Sequence, residues 1–274
     1  MITLLKKTSG MTNESHIVDI RGTYVVRTAG KGSSELVNRN AEKAAYDAIK
    51  HLHISDELVL LVPETGLKIT EYIPNSRNCD ATRIDDVIRC MNVLKQLHSA
   101  NLHTDYVFDL RKTLNRYESL IKTSKYASYN DVRERIDTLL TMIDSSHKDY
   151  CLCHIDAVPD NFLLTNTGVR LIDWEYAGMQ DPDVDIAMFA IYANYSFEQI
   201  NTLTRIYDDQ MTSERRKKIY AYVAICGLIW SNWCEYKEQQ GEDFGDYARS
   251  QYKYAEDYSK YLLEGCKWNK FHKQ

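Results

Sequence analysis

The hydrophobic period changes at Pro74, and that change bounds the fold more tightly than any single motif. Before Pro74, apolar and β-branched residues gather in short runs, ITLLKK, HIVDI, TYVVRT, LVLLVP and LKITEYI, divided by turn formers such as SGMTN and Arg21-Gly22. Runs of that kind pair as antiparallel strands. Within this region SSELVNRNAEKAAYDAIKHL sets Val37, Ala41, Ala44 and Ala48 on one helical face. Beyond Pro74 the apolar positions Val87, Ile88, Met91, Leu94 and Leu97 recur at three or four, and helical patterns dominate to the C terminus. Strands return only around CHIDAVPDNFLLTNTGVRLIDWEYAG, which begins at Cys153. The pattern predicts an α+β chain in two lobes, a strand-rich front over 1–73 and a larger helical back over 74–274. A crossing segment from Glu71 to Asn75 would form the hinge over a cleft.

Composition removes several classes of partner. The 274 residues are 44% hydrophobic with a net charge of -5 and no long basic run, so neither nucleic acid nor a stable membrane association is expected. Lys267, Lys270 and Lys273 are too sparse to alter this. The longest apolar run, Tyr220 to Trp230, falls well short of the ~20 residues a bilayer span needs. Seven cysteines without framework spacing, behind an N terminus that lacks a signal-peptide apolar segment, fit reduced thiols in a cytoplasmic protein.

The stretch from Cys153 is the candidate site. FLLT and VRLID read as a hairpin turned at Asn166-Thr167-Gly168, with Asn161 before its first strand and Asp173 at the end of its second. Antiparallel pairing brings both to one end of the hairpin, and Asp156 lies within reach on the preceding loop. Asp and Asn oxygens suit magnesium bridging substrate phosphates. H-x-D-x-x-x-x-N followed by a strand-terminal Asp is the pattern of a phosphotransferase catalytic loop: Asp156 as the base toward an acceptor hydroxyl, Asn161 and Asp173 as metal ligands. Asp243-Phe244-Gly245 spells the triplet that carries the metal Asp in protein kinases, but it follows Asp156 by far more than one hairpin, so Asp243 takes a structural role near a helix start. Zinc on Cys151, Cys153 and His154 lacks a second ligand pair at finger spacing, and a buried, hydrogen-bonded His154 is the stronger reading.

Around this centre, the SGMTN turn offers backbone amides and Asn13 to phosphates, with an ordinary hairpin turn as the equal alternative. Arg27 on TYVVRT stands where kinase-like folds carry a phosphate-contacting Lys, and Glu42 on the next helix is its natural partner, an exposed structural pair being the competing reading. In the helical region Trp230 and Trp233 share a helix face and Tyr247 opens a later helix, aromatic surfaces of the kind that attract quaternary ammonium groups. Tyr254, Tyr258 and Tyr261 read as core.

With these residues in view, the chain resembles the choline/ethanolamine kinase family nearly end to end, from SGMTN through CHIDAVPDNF, LIDWEYAGMQDPDVDIA and W-x-x-W to EDFGDYA, and most closely its bacterial members tied to cell-surface phosphocholine. The resemblance implies a bilobal protein-kinase-like fold, ATP with Mg2+, and choline as the small-molecule acceptor. It implies that Asp156, Asn161 and Asp173 keep their roles and that Arg27 and Glu42 form the phosphate-side pair. It further implies that Glu71 and Ile73 present backbone to adenine, and that Trp230, Trp233 and Tyr247 line the acceptor pocket with Tyr176 at its edge. One position departs from the family: seven residues after Asp185, where a Glu facing the ammonium group is common, this chain has Tyr192. That change leaves ethanolamine, another amino alcohol or an aminoglycoside as alternative acceptors, with a catalytically silent choline-binding pseudokinase as the remaining alternative.

Overall fold

The structure, a computed structural model, describes residues 3–9, 13–30, 37–146 and 149–265. Gly10, Met11 and Thr12 of the SGMTN turn and the lysines of the C-terminal tail therefore lie outside the described residues. The chain packs as two compact units, Met1–Val107 with Cys151–Met179, and Phe108–Tyr150 with Gln180–Gln274.

The first unit starts with the expected strands, β1 (Thr3–Ser9), β2 (Asn13–Asp19) and β3 (Thr23–Ala29), followed by helix α1 (Arg39–Ile49) and strands β4 (Leu58–Val62) and β5 (Leu67–Glu71). They form an antiparallel sheet in the order β1-β2-β3-β5-β4. The β4–β5 turn depends on Gly66, whose φ of +71 and close approach to Ala29 leave no room for a Cβ. Asn38 caps α1 by accepting from the Asn40 and Ala41 amides. The buried strip of α1 is Ala41, Ala45 and Ile49, flanked by Glu42 and Tyr46. Ala44 and Ala48, expected on that face, are only half-buried because the helix rolls to bring Glu42 inward.

Strand β6 (Arg77–Asn78) leads to helix α2 (Ile84–Ser99), whose Val87, Met91, Leu94 and Leu97 are buried while Ile88 is exposed. The chain returns to this unit at strand β7 (Cys151–Cys153) and then forms the hairpin β8 (Phe162–Thr165) and β9 (Gly168–Leu171). Thr165 pairs with Gly168, so the loop is Asn166-Thr167 and Gly168 is already in the strand. Helix α2 packs against β7 and β9, and β7 pairs with β10 (Gly178–Gln180), where the first unit ends.

The second unit is helical: α3 (Leu110–Leu120), α4 (Tyr129–Asp144), α5 (Asp183–Tyr192), α6 (Phe197–Tyr207), α7 (Ser213–Glu238) and α8 (Asp246–Glu264). Helix α7 is buried nearly all round from Ile219 to Glu235 because α3, α4, α5 and α8 all pack on it. Gly227 permits the closest of these approaches, since a Cβ there would meet the Gln251 carbonyl of α8 at 2.7 Å. No helix among the described residues is long and apolar enough to cross a membrane.

Candidate active site

The hairpin brings its two ends together as the sequence pattern requires. Phe162 pairs with Leu171, and the Ile172 amide donates to the Asn161 carbonyl at 2.9 Å, so Asn161 and Asp173 lie at one mouth of the β8–β9 ribbon. Asp156 joins them through Asn161, whose Nδ2 donates to the Asp156 carbonyl at 2.9 Å and to Asp156 Oδ2 at 3.1 Å. Those two bonds fix the amide orientation and leave Asn161 Oδ1 as the oxygen free to act as a ligand. Two residues at this mouth have left-handed backbone, Asp173 at φ 67 and Ile155 at φ 69. Asp tolerates that region, but a β-branched Ile does so at a cost of order 1–3 kcal/mol, a strain characteristic of functional loops. His154 holds the loop: it is fully buried, its Nε2 lies 2.9 Å from the Ile172 carbonyl, and its ring meets the edge of Trp174.

A buried ion network backs this mouth. Arg27 Nη1 donates to Asp173 Oδ1 at 2.5 Å and to Glu175 Oε2 at 3.3 Å, while its Nη2 donates to both Glu42 oxygens at 2.6 Å. Arg27 and Glu42 are thus paired, and the pair is buried rather than exposed. Lys68 Nζ reaches Glu42 Oε1 at 2.9 Å and lies 3.6 Å from Asp173 Oδ1. Arg39 donates to Glu42 and Glu175 at 3.1 Å each and to Asn13 Oδ1 at 3.0 Å. Asn13, expected as a side-chain donor to phosphates, is instead buried within the ion network, where its Nδ2 donates to Glu175 Oε2 at 2.8 Å. Three carboxylates therefore meet three cations, a balance that makes the burial of each charge tolerable.

The network sets the titration of its members. Burial alone would raise the Glu42 pKa, but Lys68 and Arg27 more than offset it and hold the carboxyl at about 2. Burial opposes the Arg27 charge too, yet Asp173, Glu42 and Glu175 together raise its pKa. Glu175 is pushed up, first by burial and then by Asp173, against the pull of Arg27.

Because the folded pKa of Glu42 lies below its ordinary 4.5, its stabilisation is present above that value and is lost as pH falls through about 2. Glu42→Gln leaves buried cations uncompensated and should cost about 3–5 kcal/mol at neutral pH. Urea unfolding over a pH series should show the gap between wild type and variant closing as acid is added. A gap that stays constant from neutral pH to the acid limit would contradict the network.

Beside these groups is a cleft of about 170 Å3 whose lining includes the apolar Val25, Leu163 and Ile172, the charged Arg27, Lys68 and Asp173, and the segment Glu71, Tyr72 and Ile73. The Tyr72 amide is committed to the Thr23 carbonyl at 3.0 Å, whereas among the described residues the Ile73 amide has no backbone acceptor. A lining of apolar side chains, a backbone donor and cations suits a planar heterocycle that carries phosphates.

The remaining expected residues divide between the units. Tyr176 is in the first unit, buried in the short turn Trp174–Tyr176. In the second, Trp230 and Trp233 stand edge to face with centroids 6.1 Å apart, and Tyr192 meets Tyr247 at 5.3 Å. Phe244 links the two pairs: its ring lies 5.2 Å from Trp233, and its carbonyl accepts from the Tyr247 amide at 3.0 Å. Met188 Sδ takes the Trp230 Nε1 hydrogen, while Trp233 Nε1 is buried with no acceptor among the described residues. Asp243 closes a turn by accepting from the Gly245 amide at 2.9 Å, a structural role three residues before α8. Tyr254 and Tyr258 are core, as their spacing implied, whereas Tyr261, expected with them, is half-buried.

Comparison with known proteins places this geometry among relatives. The family model described as choline/ethanolamine kinase matches residues 5–225. Protein LicA of Haemophilus influenzae is 29% identical over 255 residues, covering 87% of this chain and 75% of that protein. The crystal structure of choline kinase LicA from Streptococcus pneumoniae superposes with a TM-score of 0.81 at 31% identity, over 94% of this chain and 92% of that one. A structure of LicA in complex with AMP superposes at 0.83, again at 31% identity, over 95% and 93% of the two chains.

Proposed function

Because this chain belongs to the choline/ethanolamine kinase family, with a protein-kinase-like fold and the chemistry of a small-molecule kinase, we propose that it transfers the γ-phosphoryl group of ATP to the hydroxyl of choline, giving phosphocholine and ADP. The observation that carries the reading is the Asp156–Asn161–Asp173 mouth backed by buried Arg27 and Lys68. Asp156 accepts the acceptor hydroxyl's proton as the bond to phosphorus forms. Arg27 and Lys68 meet phosphate oxygens, Glu42 and Glu175 keep those cations charged and aimed, and Asn13 holds Glu175 in place. Glu71 and Ile73 present backbone to the adenine in the cleft.

Magnesium fits the donor set, since the Asn161 hydrogen bonds to Asp156 are made by Nδ2 and not by Oδ1, and the Asp173 side chain is 37% exposed, both residues offering hard oxygens. These two residues would hold the ion, which when bound neutralises charge on the phosphates. The six cysteines among the described residues form no disulfides, consistent with the cytoplasm, where ATP is available.

The acceptor's ammonium end is assigned to the second unit's aromatic residues Trp230, Trp233, Tyr192 and Tyr247. Aromatic faces bind a methylated cation through the ring quadrupole, at about 2 kcal/mol or more when desolvated. Tyr192, in place of a carboxylate, adds a ring to that surface and favours a cation with a methylated, weakly hydrated exterior. Trp233→Leu, which keeps apolar bulk, should raise the KM for choline by about 10- to 30-fold with little change in kcat. Steady-state kinetics with choline and ethanolamine checks this: equal effects on both substrates, or an effect on kcat alone, would remove Trp233 from the acceptor site.

A further inference from the structure

A second cluster in the first unit is independent of the phosphotransfer site. Strand β7 carries Cys151 and Cys153 two residues apart, which puts both side chains on one face, and α2 packs against that strand. His98 is in the last turn of α2. One ligand atom from each of His98, Cys151 and Cys153 lies within 4.8 Å of the other two. The imidazole at the thiols is therefore not His154, the neighbour in sequence, whose Nε2 is engaged at the Ile172 carbonyl.

The sulfur spacing indicates what the cluster would take. Two thiolates bound at ~2.3 Å to one tetrahedral ion stand roughly 3.8 Å apart. The two Sγ atoms are 3.7 Å apart here. Two sulfurs and one imidazole form a soft-to-borderline donor set suited to zinc-class d10 cations and poorly suited to magnesium. Both cysteines are buried while His98 is half-exposed, so the imidazole side provides an entry path.

We propose that His98, Cys151 and Cys153 form a binding site for a thiophilic d10 cation of the zinc class, with a fourth position left for water or an exogenous ligand. Each thiol gives up its proton on binding, so one zinc displaces up to two protons to solvent. The bound ion cross-links the end of α2 to the strand whose next residues are His154 and Asp156, tying the catalytic loop's root to the helix behind it.

The test uses the full chain, reduced and stripped of metal, titrated first with Co2+ and then with Zn2+. One cobalt per chain should bind, with a thiolate-to-metal charge-transfer band and the ligand-field absorption of a four-coordinate centre, and zinc should bleach both. X-ray absorption on the wild-type zinc form should find two sulfurs at about 2.3 Å. Cys151→Ser, Cys153→Ser and His98→Ala should each weaken zinc by more than the roughly 100-fold that loss of an outer-shell partner produces. Cys79→Ser with Cys90→Ser should leave the signal intact. A zinc shell of oxygen and nitrogen only, no binding, or a cobalt spectrum that survives loss of both β7 cysteines would overturn the site. The absorption measurement needs no variant, so a folding defect in one cannot shelter the proposal.

Discussion

Asp156→Asn should lower kcat with choline by about 10²–10⁴-fold while leaving nucleotide affinity near that of the wild type, since general-base assistance is worth that much and the substitution keeps size and hydrogen bonding. The amide still accepts from Asn161 Nδ2, so the loop geometry that depends on that 3.1 Å contact is retained. What is lost is the capacity to take the hydroxyl proton. Single-turnover kinetics with saturating ATP separates this from a binding defect. A variant that turns over within a factor of a few of wild type would remove Asp156 from the chemistry, and one that fails to bind nucleotide would assign it to the phosphate side.

Asp173→Asn should produce a loss of a different character. Asp173 faces the cleft, stands 2.5 Å from Arg27 and 3.6 Å from Lys68, and is proposed as a ligand to magnesium. Removing its charge withdraws a hard anionic ligand and leaves the Arg27 guanidinium with only Glu42 and Glu175. A metal's electrostatic contribution is several kcal/mol, so kcat/KM should fall by about 10³-fold or more, and the magnesium concentration for half-maximal rate should rise steeply. Calorimetry of nucleotide binding with and without magnesium distinguishes the two carboxylates. Magnesium should tighten nucleotide binding in Asp156→Asn and should do so little or not at all in Asp173→Asn. Equal magnesium dependence in both variants would contradict the separate roles.

Much of this was legible in the sequence because it is local. The five front strands follow from short β-branched runs, and the β8–β9 ribbon follows from FLLT and VRLID about a tight turn, so the meeting of Asn161 with Asp173 needed only antiparallel pairing. The choline/ethanolamine kinase resemblance rested on the same motifs, and the α+β protein-kinase-like fold came with it.

What escaped is non-local. Glu175, Lys68 and Arg39 belong to the ion network through partners that are mostly distant in the chain, Arg27 with Glu175 across 148 residues and Arg39 with Glu175 across 136, although Arg39 also meets Glu42 one turn away. A usable signal existed at Lys68: strand LKITE buries Lys68 and Thr70 and leaves Leu67 and Ile69 half-buried, an inverted alternation that marks a polar face turned inward. The slip on α1 has the same origin. Apolar periodicity favours Ala44 and Ala48, but Glu42 is drawn inward by Arg27, Lys68 and Arg39, which no pattern on the helix itself reveals. Likewise, reading Cys151-x-Cys153-His154 as one string hid the imidazole grouped with both thiols, His98, more than fifty residues earlier.

The central claim, phosphoryl transfer from ATP to the hydroxyl of a methylated amine, is tested most directly by acceptor-dependent ADP release with purified protein, ATP and magnesium over choline, ethanolamine and an aminoglycoside. The account predicts the highest kcat/KM with choline, phosphocholine formed in step with ADP, and choline-dependent release lowered by about 10²-fold or more in Asp156→Asn. Release that choline does not stimulate, or that ethanolamine or the aminoglycoside stimulates more strongly, would contradict it.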